Sequence, residues 1–239
     1  ASESDGTWTF TVHPVAVGTA TIKATKSNGS VYYVRNLTVT VKAPSAPTIT
    51  ASDSVTSGNW HTANYTLNFS GSTITNGSGN VVYIRYNSDD ATEKTGASAS
   101  ITTETAGRTF YVRACNSLDT TVCSSEKTYI SRLDKAAPTL SVSVPSGTTY
   151  AQSKTATITL ADATSGLGSS SYTVYYGWGT SAIACSGMTS TVTLTRQSGN
   201  MSATGTVTKD SGTGAGQIYV CNKSAISDVA GSTIAANAG

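Results

Sequence analysis

Four cysteines, two histidines and the aspartates Asp134, Asp162 and Asp228 are the residues of this 239-residue chain whose chemistry reaches beyond packing. Cys115, Cys123, Cys185 and Cys221 permit three disulfide pairings, and spacing alone does not choose among them. The histidines, His13 and His61, lie far apart and beside no nucleophile motif; neither Gly-x-Ser-x-Gly nor His-Glu-x-x-His occurs. Gly212-Thr213-Gly214-Ala215-Gly216 is glycine-rich but precedes a strand-like run, so the helix N-terminus that a phosphate needs is missing. The three aspartates carry the hard oxygens that Ca²⁺ prefers, but that ion takes six to eight of them and acidic residues are few here. Aspartate more often bonds its own backbone in a turn. The reading therefore expects no catalytic residue, no cofactor and no metal.

Aromatic rings offer a further chemistry, stacking on carbohydrate. Trp60, Tyr86 and Trp178 are the candidates, with Tyr65, Tyr83, Tyr175 and Tyr176 behind them. Strand alternation sends about half of any such set into the core. Trp178, close in sequence to Cys185, also suits the buried tryptophan that packs on a disulfide in immunoglobulin-type sandwiches.

The elements that must position these residues occur twice. Thr109-Phe110-Tyr111-Val112-Arg113-Ala114-Cys115 is matched a hundred or so residues later by Gln217-Ile218-Tyr219-Val220-Cys221, each cysteine being followed by an asparagine, Asn116 and Asn222. Ala46-Pro47-Thr48-Ile49 is matched by Ala137-Pro138-Thr139-Leu140, Tyr65 to Phe69 by Ala156 to Leu160, and Val81 to Tyr86 by Tyr172 to Tyr176. Agreement in both order and spacing marks two copies of one fold. Two cysteines then fall in each copy, and membership of a copy selects the pairs Cys115–Cys123 and Cys185–Cys221. Paired cysteines imply an oxidising compartment outside the cytosol.

Composition agrees with strands. Charged residues make up 12% of the chain, so the low hydrophobicity is not that of a highly charged disordered segment. Thr, Val, Ile and Tyr suit a pleated, half-buried surface, and no stretch holds a helical period. The net charge of +2 is spread singly, which argues against a nucleic-acid partner. No apolar run reaches the roughly 20 residues of a membrane span, and Ala1 to Asp5 lacks the order of a signal peptide.

The expected organisation is a partial module at 1–43 and two complete ones at 44–134 and 135–239. Within the first, Trp8–Val12, Ala20–Thr25 and Val31–Val41 read as strands, with Asn28-Gly29 turning the second into the third. Three strands do not complete a sandwich; the reading favours a domain whose beginning lies upstream over one completed by a strand from another chain. Lys42 to Pro47 and Asp134 to Pro138 read as stiff linkers, because proline fixes φ and keeps the preceding residue extended.

Gly6-Thr7-Trp8-Thr9-Phe10, Pro14, Gly18 to Ala24 and Leu37 to Val41 together resemble the second half of a bacterial immunoglobulin-like domain of the invasin and intimin type. Asp134 to Thr139, Asp162-Ala163-Thr164-Ser165-Gly166-Leu167 and Asp228-Val229-Ala230-Gly231 resemble another bacterial Ig-like group, in which Asn rather than Ser232 usually follows the last glycine. The resemblance implies an all-β fold of tandem Ig-like β-sandwiches, the N-terminal one incomplete. It also implies a non-enzymatic stalk, adhesin or assembly subunit on a bacterial surface or virion. The expected partners are a protein or glycan on another cell, or neighbouring subunits. The contrasting expectation is a carbohydrate-binding accessory module of a larger secreted enzyme.

Overall fold

The computed structural model describes residues 2–4, 7–9, 18–25, 31–145, 153–210 and 216–237. They form an all-β protein of several sheets with one 3₁₀ turn, Cys185–Gly187. The chain separates into two compact units. Unit one comprises Ala1–Thr56, Thr66–Ser100 and Arg108–Ile130; unit two comprises Ser57–Tyr65, Ile101–Gly107 and Ser131–Gly239.

Unit one begins with two short pairs, β1 (Ser2–Ser4) with β2 (Thr7–Thr9) and β3 (Gly18–Thr25) with β4 (Val31–Val39). The β3–β4 register runs from Gly18 opposite Val39 to Thr25 opposite Val31, which is the expected antiparallel pairing. Its Asn28-Gly29 turn, most of the Trp8–Val12 run and His13 lie outside the described residues. Next along the chain come β5 (Thr48–Ala51), β6 (Trp60–His61), which belongs to unit two, and β7 (Tyr65–Ser70), then β8 (Val81–Asn87), β9 (Asp90–Thr95), β10 (Ser98–Ile101), β11 (Thr105–Asn116) and β12 (Asp119–Cys123). Strand β7 lies between β5 and β10, and β8 lies between β9 and β11. In β7 the pattern Tyr-Thr-Leu-Asn-Phe-Ser buries every second residue, so Leu67 and Phe69 enter a core with Ile84, Phe110, Val112 and Tyr129. Each such fully buried side chain contributes about 1.5–3 kcal/mol.

The segment expected to be a linker before β5 is tied down. Pro44 and Pro47 are buried, and the Ser45 N–H donates to the Thr73 carbonyl at 2.9 Å. Proline supplies apolar area as well as stiffness, and here that area is covered.

Strand β13 (Lys127–Leu133) runs from unit one into unit two, where its last residues pair in parallel with β6, Arg132 opposite Trp60. Then follow β14 (Thr139–Ser143), β15 (Ser153–Ala161), β16 (Ser171–Gly179), β17 (Ser190–Arg196), β18 (Ser202–Asp210) and β19 (Gln217–Cys221), hydrogen-bonded in the order β14-β15-β18-β17-β16-β19. A short hairpin, β20 (Ile226–Ser227) with β21 (Thr233–Ile234), ends the described chain. Alternation in β15 sends Ala156, Ile158 and Leu160 into a core with Leu167, Val174, Leu194, Ala203 and Val207.

The repeat read from sequence recurs as a repeat of pairings. Strand β5 is antiparallel to β7 as β14 is to β15, and β8 is antiparallel to β11 as β16 is to β19. Matched cysteines then face matched strands: Cys115 lies opposite Val82 and Cys221 opposite Tyr175.

Candidate functional site

Three strand ends of unit two bring the aspartates together. Asp134 follows β13, Asp162 follows β15 and Asp228 follows β20. All three are buried, at 0%, 4% and 6% exposure, and one carboxylate oxygen from each lies within 4.8 Å of the others. Local chemistry explains why each chain turns there. Asp134 Oδ1 accepts from the Ala136 N–H at 3.1 Å. Asp162 Oδ1 accepts from Thr164 at 3.1 Å and Gly166 at 2.5 Å, and Asp228 Oδ1 from Gly231 at 2.7 Å and Ser232 at 2.9 Å. These are aspartate turns of the kind the sequence reading favoured.

The turns are also tied to one another. Asp134 Oδ2 accepts from the Ser165 N–H at 2.9 Å, Ser165 Oγ accepts from the Ala230 N–H at 3.2 Å, and the Ser232 hydroxyl donates to the Asp134 carbonyl at 3.3 Å. Ser232, where the resembled group has Asn, thus serves the site with both its N–H and its hydroxyl. The Asp134 N–H donates to the His61 carbonyl at 3.0 Å, so the expected Asp134–Pro138 linker starts as a pinned, buried residue. Glu104 stands at the margin, accepting from the Lys135 N–H at 3.1 Å and, at 3.4 Å, from the Thr164 hydroxyl.

Among the described residues no lysine or arginine pairs with any of the three carboxylates. Burial pushes the Asp228 carboxyl above its ordinary value, and the charges of Asp134 and Asp162 add to the rise, against the lowering effect of the Gly231 and Ser232 N–H groups. This donor set is all hard oxygen, of the type that hard divalent cations take.

The cysteines form two disulfides, Cys115–Cys123 and Cys185–Cys221. Each lies within one unit. The first joins opposed residues of the β11–β12 hairpin; the second fixes the 3₁₀ turn to β19.

The aromatic candidates are divided between the two units. Tyr86 and Tyr111 stack at 4.8 Å in unit one, and the Tyr86 hydroxyl donates to Glu126 at 3.0 Å. Trp60 and Trp178 belong to unit two, where the Arg132 guanidinium lies 5.8 Å from the Trp60 ring centre. Trp178 packs on the hydrophobic core, with the Lys209 ammonium 5.6 Å from its ring centre. Tyr65 is buried, donates to Ser131 Oγ at 2.6 Å and stacks on His61. His61 is accordingly a core histidine.

Sequence reasoning noted an asparagine after each late-strand cysteine but gave it no task. Both are buried cross-braces. Asn116 Nδ2 donates to the Lys42 and Ser78 carbonyls at 3.0 and 2.7 Å, while its Oδ1 accepts from the Leu118 N–H at 3.0 Å. Asn222 Nδ2 donates to the Ser224 and Ala235 carbonyls at 3.0 and 2.7 Å. Their recurrence in the repeat was the available signal. Asn116→Ala is expected to destabilise the protein by about 2–4 kcal/mol in urea unfolding, since it orphans buried carbonyls and an N–H. A loss under about 1 kcal/mol would show that water replaces the amide.

No protein-family model matches this chain, and no curated protein matches it.

Proposed function

We propose that the chain is a non-enzymatic array of tandem Ig-like β-sandwich modules, exported and displayed on a bacterial surface or a virion as a stalk, adhesin or assembly subunit. The observation that carries this reading is the repeated brace: in both units a late strand ends in Cys-Asn, with the cysteine in a disulfide of its own unit and the asparagine binding distant backbone. Such a brace holds a module's shape without creating a reactive centre. Disulfides persist outside the reducing cytosol, which supports export. The resemblance of the N-terminal segment and of the three aspartate motifs to bacterial Ig-like domains supports the rest.

A glycan array combined with sedimentation tests the proposal. An array without hits, together with self-association or binding to a protein partner, is the expected result. Specific glycan binding lost in Trp60→Ala or Tyr86→Ala would replace the proposal with the carbohydrate-binding accessory module.

A further inference from the structure

Turn formation accounts for only half of each carboxylate at two of the three aspartates. In Asp162 and Asp228 the Oδ1 atom takes both backbone N–H bonds, whereas Oδ2 is buried and has no hydrogen-bond partner among the described residues. An aspartate that only shapes a turn leaves its second oxygen in water, because a buried carboxylate oxygen without a partner is costly. Here two such oxygens are buried on carboxylates that come within 4.8 Å of one another and of the third, Asp134, without a counter-charge from lysine or arginine among the described residues. Three buried negative charges at this range repel strongly unless something positive lies among them.

We propose that Asp134, Asp162 and Asp228 form a binding site for a hard divalent cation, Ca²⁺, that joins the three turns of unit two. Calcium binds oxygen at about 2.3–2.6 Å, so oxygens on opposite sides of one ion lie up to roughly 5 Å apart. The observed mutual limit of 4.8 Å fits inside one such shell. The irregular turn backbone suits the adaptable calcium shell better than the strict octahedron of Mg²⁺. Water and carbonyl groups complete the six to eight ligands. An ion held there links the end of β13, the end of β15 and the β20–β21 hairpin, segments that span almost a hundred residues of sequence.

The test uses the full chain freed of metal with EDTA and titrated with CaCl₂, and separately with MgCl₂, by calorimetry and thermal unfolding. One calcium per chain with a dissociation constant on the order of 10⁻³ M or tighter is expected, with a melting temperature that rises and saturates. Asp162→Asn and Asp228→Asn keep the Oδ1 acceptor and remove one charge each. Either should weaken calcium binding at least about tenfold, yet raise the melting temperature of the metal-free protein by relieving repulsion. A role confined to the turn predicts no calcium binding for these variants to weaken. The proposal is overturned if the wild-type chain shows neither binding heat nor a shift in melting at about 10 mM CaCl₂, a concentration well above the range of extracellular calcium modules. Tighter binding of Mg²⁺ than of Ca²⁺ would overturn the choice of ion. Since the wild-type titration does not depend on the variants folding, it decides the matter alone.

Discussion

Replacing Cys185 and Cys221 together with alanine is expected to lower the unfolding free energy by about 4 kcal/mol, the largest loss anticipated from any pair in the chain. The bridge spans 36 residues, and closing a loop of that length removes this much chain entropy from the unfolded state. The same replacement at Cys115 and Cys123, which are 8 residues apart, should cost about 2.5 kcal/mol or less. There the bridge joins residues already opposed in the β11–β12 hairpin, so part of its constraint is shared with backbone pairing. Alanine is preferred to serine because Cys115 and Cys221 are buried at 0% and 2% exposure, where a hydroxyl would add its own penalty. Urea unfolding of the oxidised protein and both variants measures the difference. An equal loss from the two pairs would mean that loop length does not govern the effect.

Gly79→Ala should be comparably damaging, at about 3–5 kcal/mol. Gly79 has φ +101°, which an L side chain rarely adopts, and a β-carbon there would overlap Asn116 Oδ1. Displacing Asn116 breaks its bonds to Lys42, Ser78 and Leu118, so backbone strain and orphaned buried groups add together. Gly107→Ala is the matched control: nothing lies within 4 Å of its β-carbon position, and it should change stability by less than about 1 kcal/mol. A cost at Gly79 no greater than at Gly107 would show that the loop moves aside.

These two sites mark the limit of what the sequence makes legible. The turn at Asn76 to Asn80 is visible in its composition, and the Cys-Asn pair is visible in the repeat. That Gly79 must lack a side chain because Asn116 fills the space is a contact across 37 positions, which neither local propensity nor periodicity encodes. The strands themselves read well, because alternation in Tyr65 to Ser70 and in Ser153 to Ala161 maps directly onto burial. The prolines of the expected stiff linkers, Pro44, Pro47 and Pro138, are buried as well, a packing role that φ restriction alone does not reveal.

The aspartates were half legible. Their turns follow from Asp next to small residues, as in Asp162-Ala163-Thr164-Ser165-Gly166 and Asp228-Val229-Ala230-Gly231. Their convergence does not, because positions 134, 162 and 228 lie far apart in the chain and only the tertiary fold brings them together. For the aromatics, sequence could not tell a ring packed on the core, as at Trp178, from one stacked on a neighbour, as at Tyr86.

Peptide mapping without reduction tests most directly the claim on which the account rests, that two braced modules each carry their own disulfide. Arg196 and Lys209 lie between Cys185 and Cys221, so trypsin leaves these two in separate peptides joined only by the bridge. Cys115 and Cys123 stay in one tryptic peptide ending at Lys127, and cleavage before Asp119 separates them. In protein recovered from an oxidising compartment, the account predicts Cys115 linked to Cys123 and Cys185 linked to Cys221. A bridge from Cys115 or Cys123 to Cys185 or Cys221, or four free thiols, would contradict it.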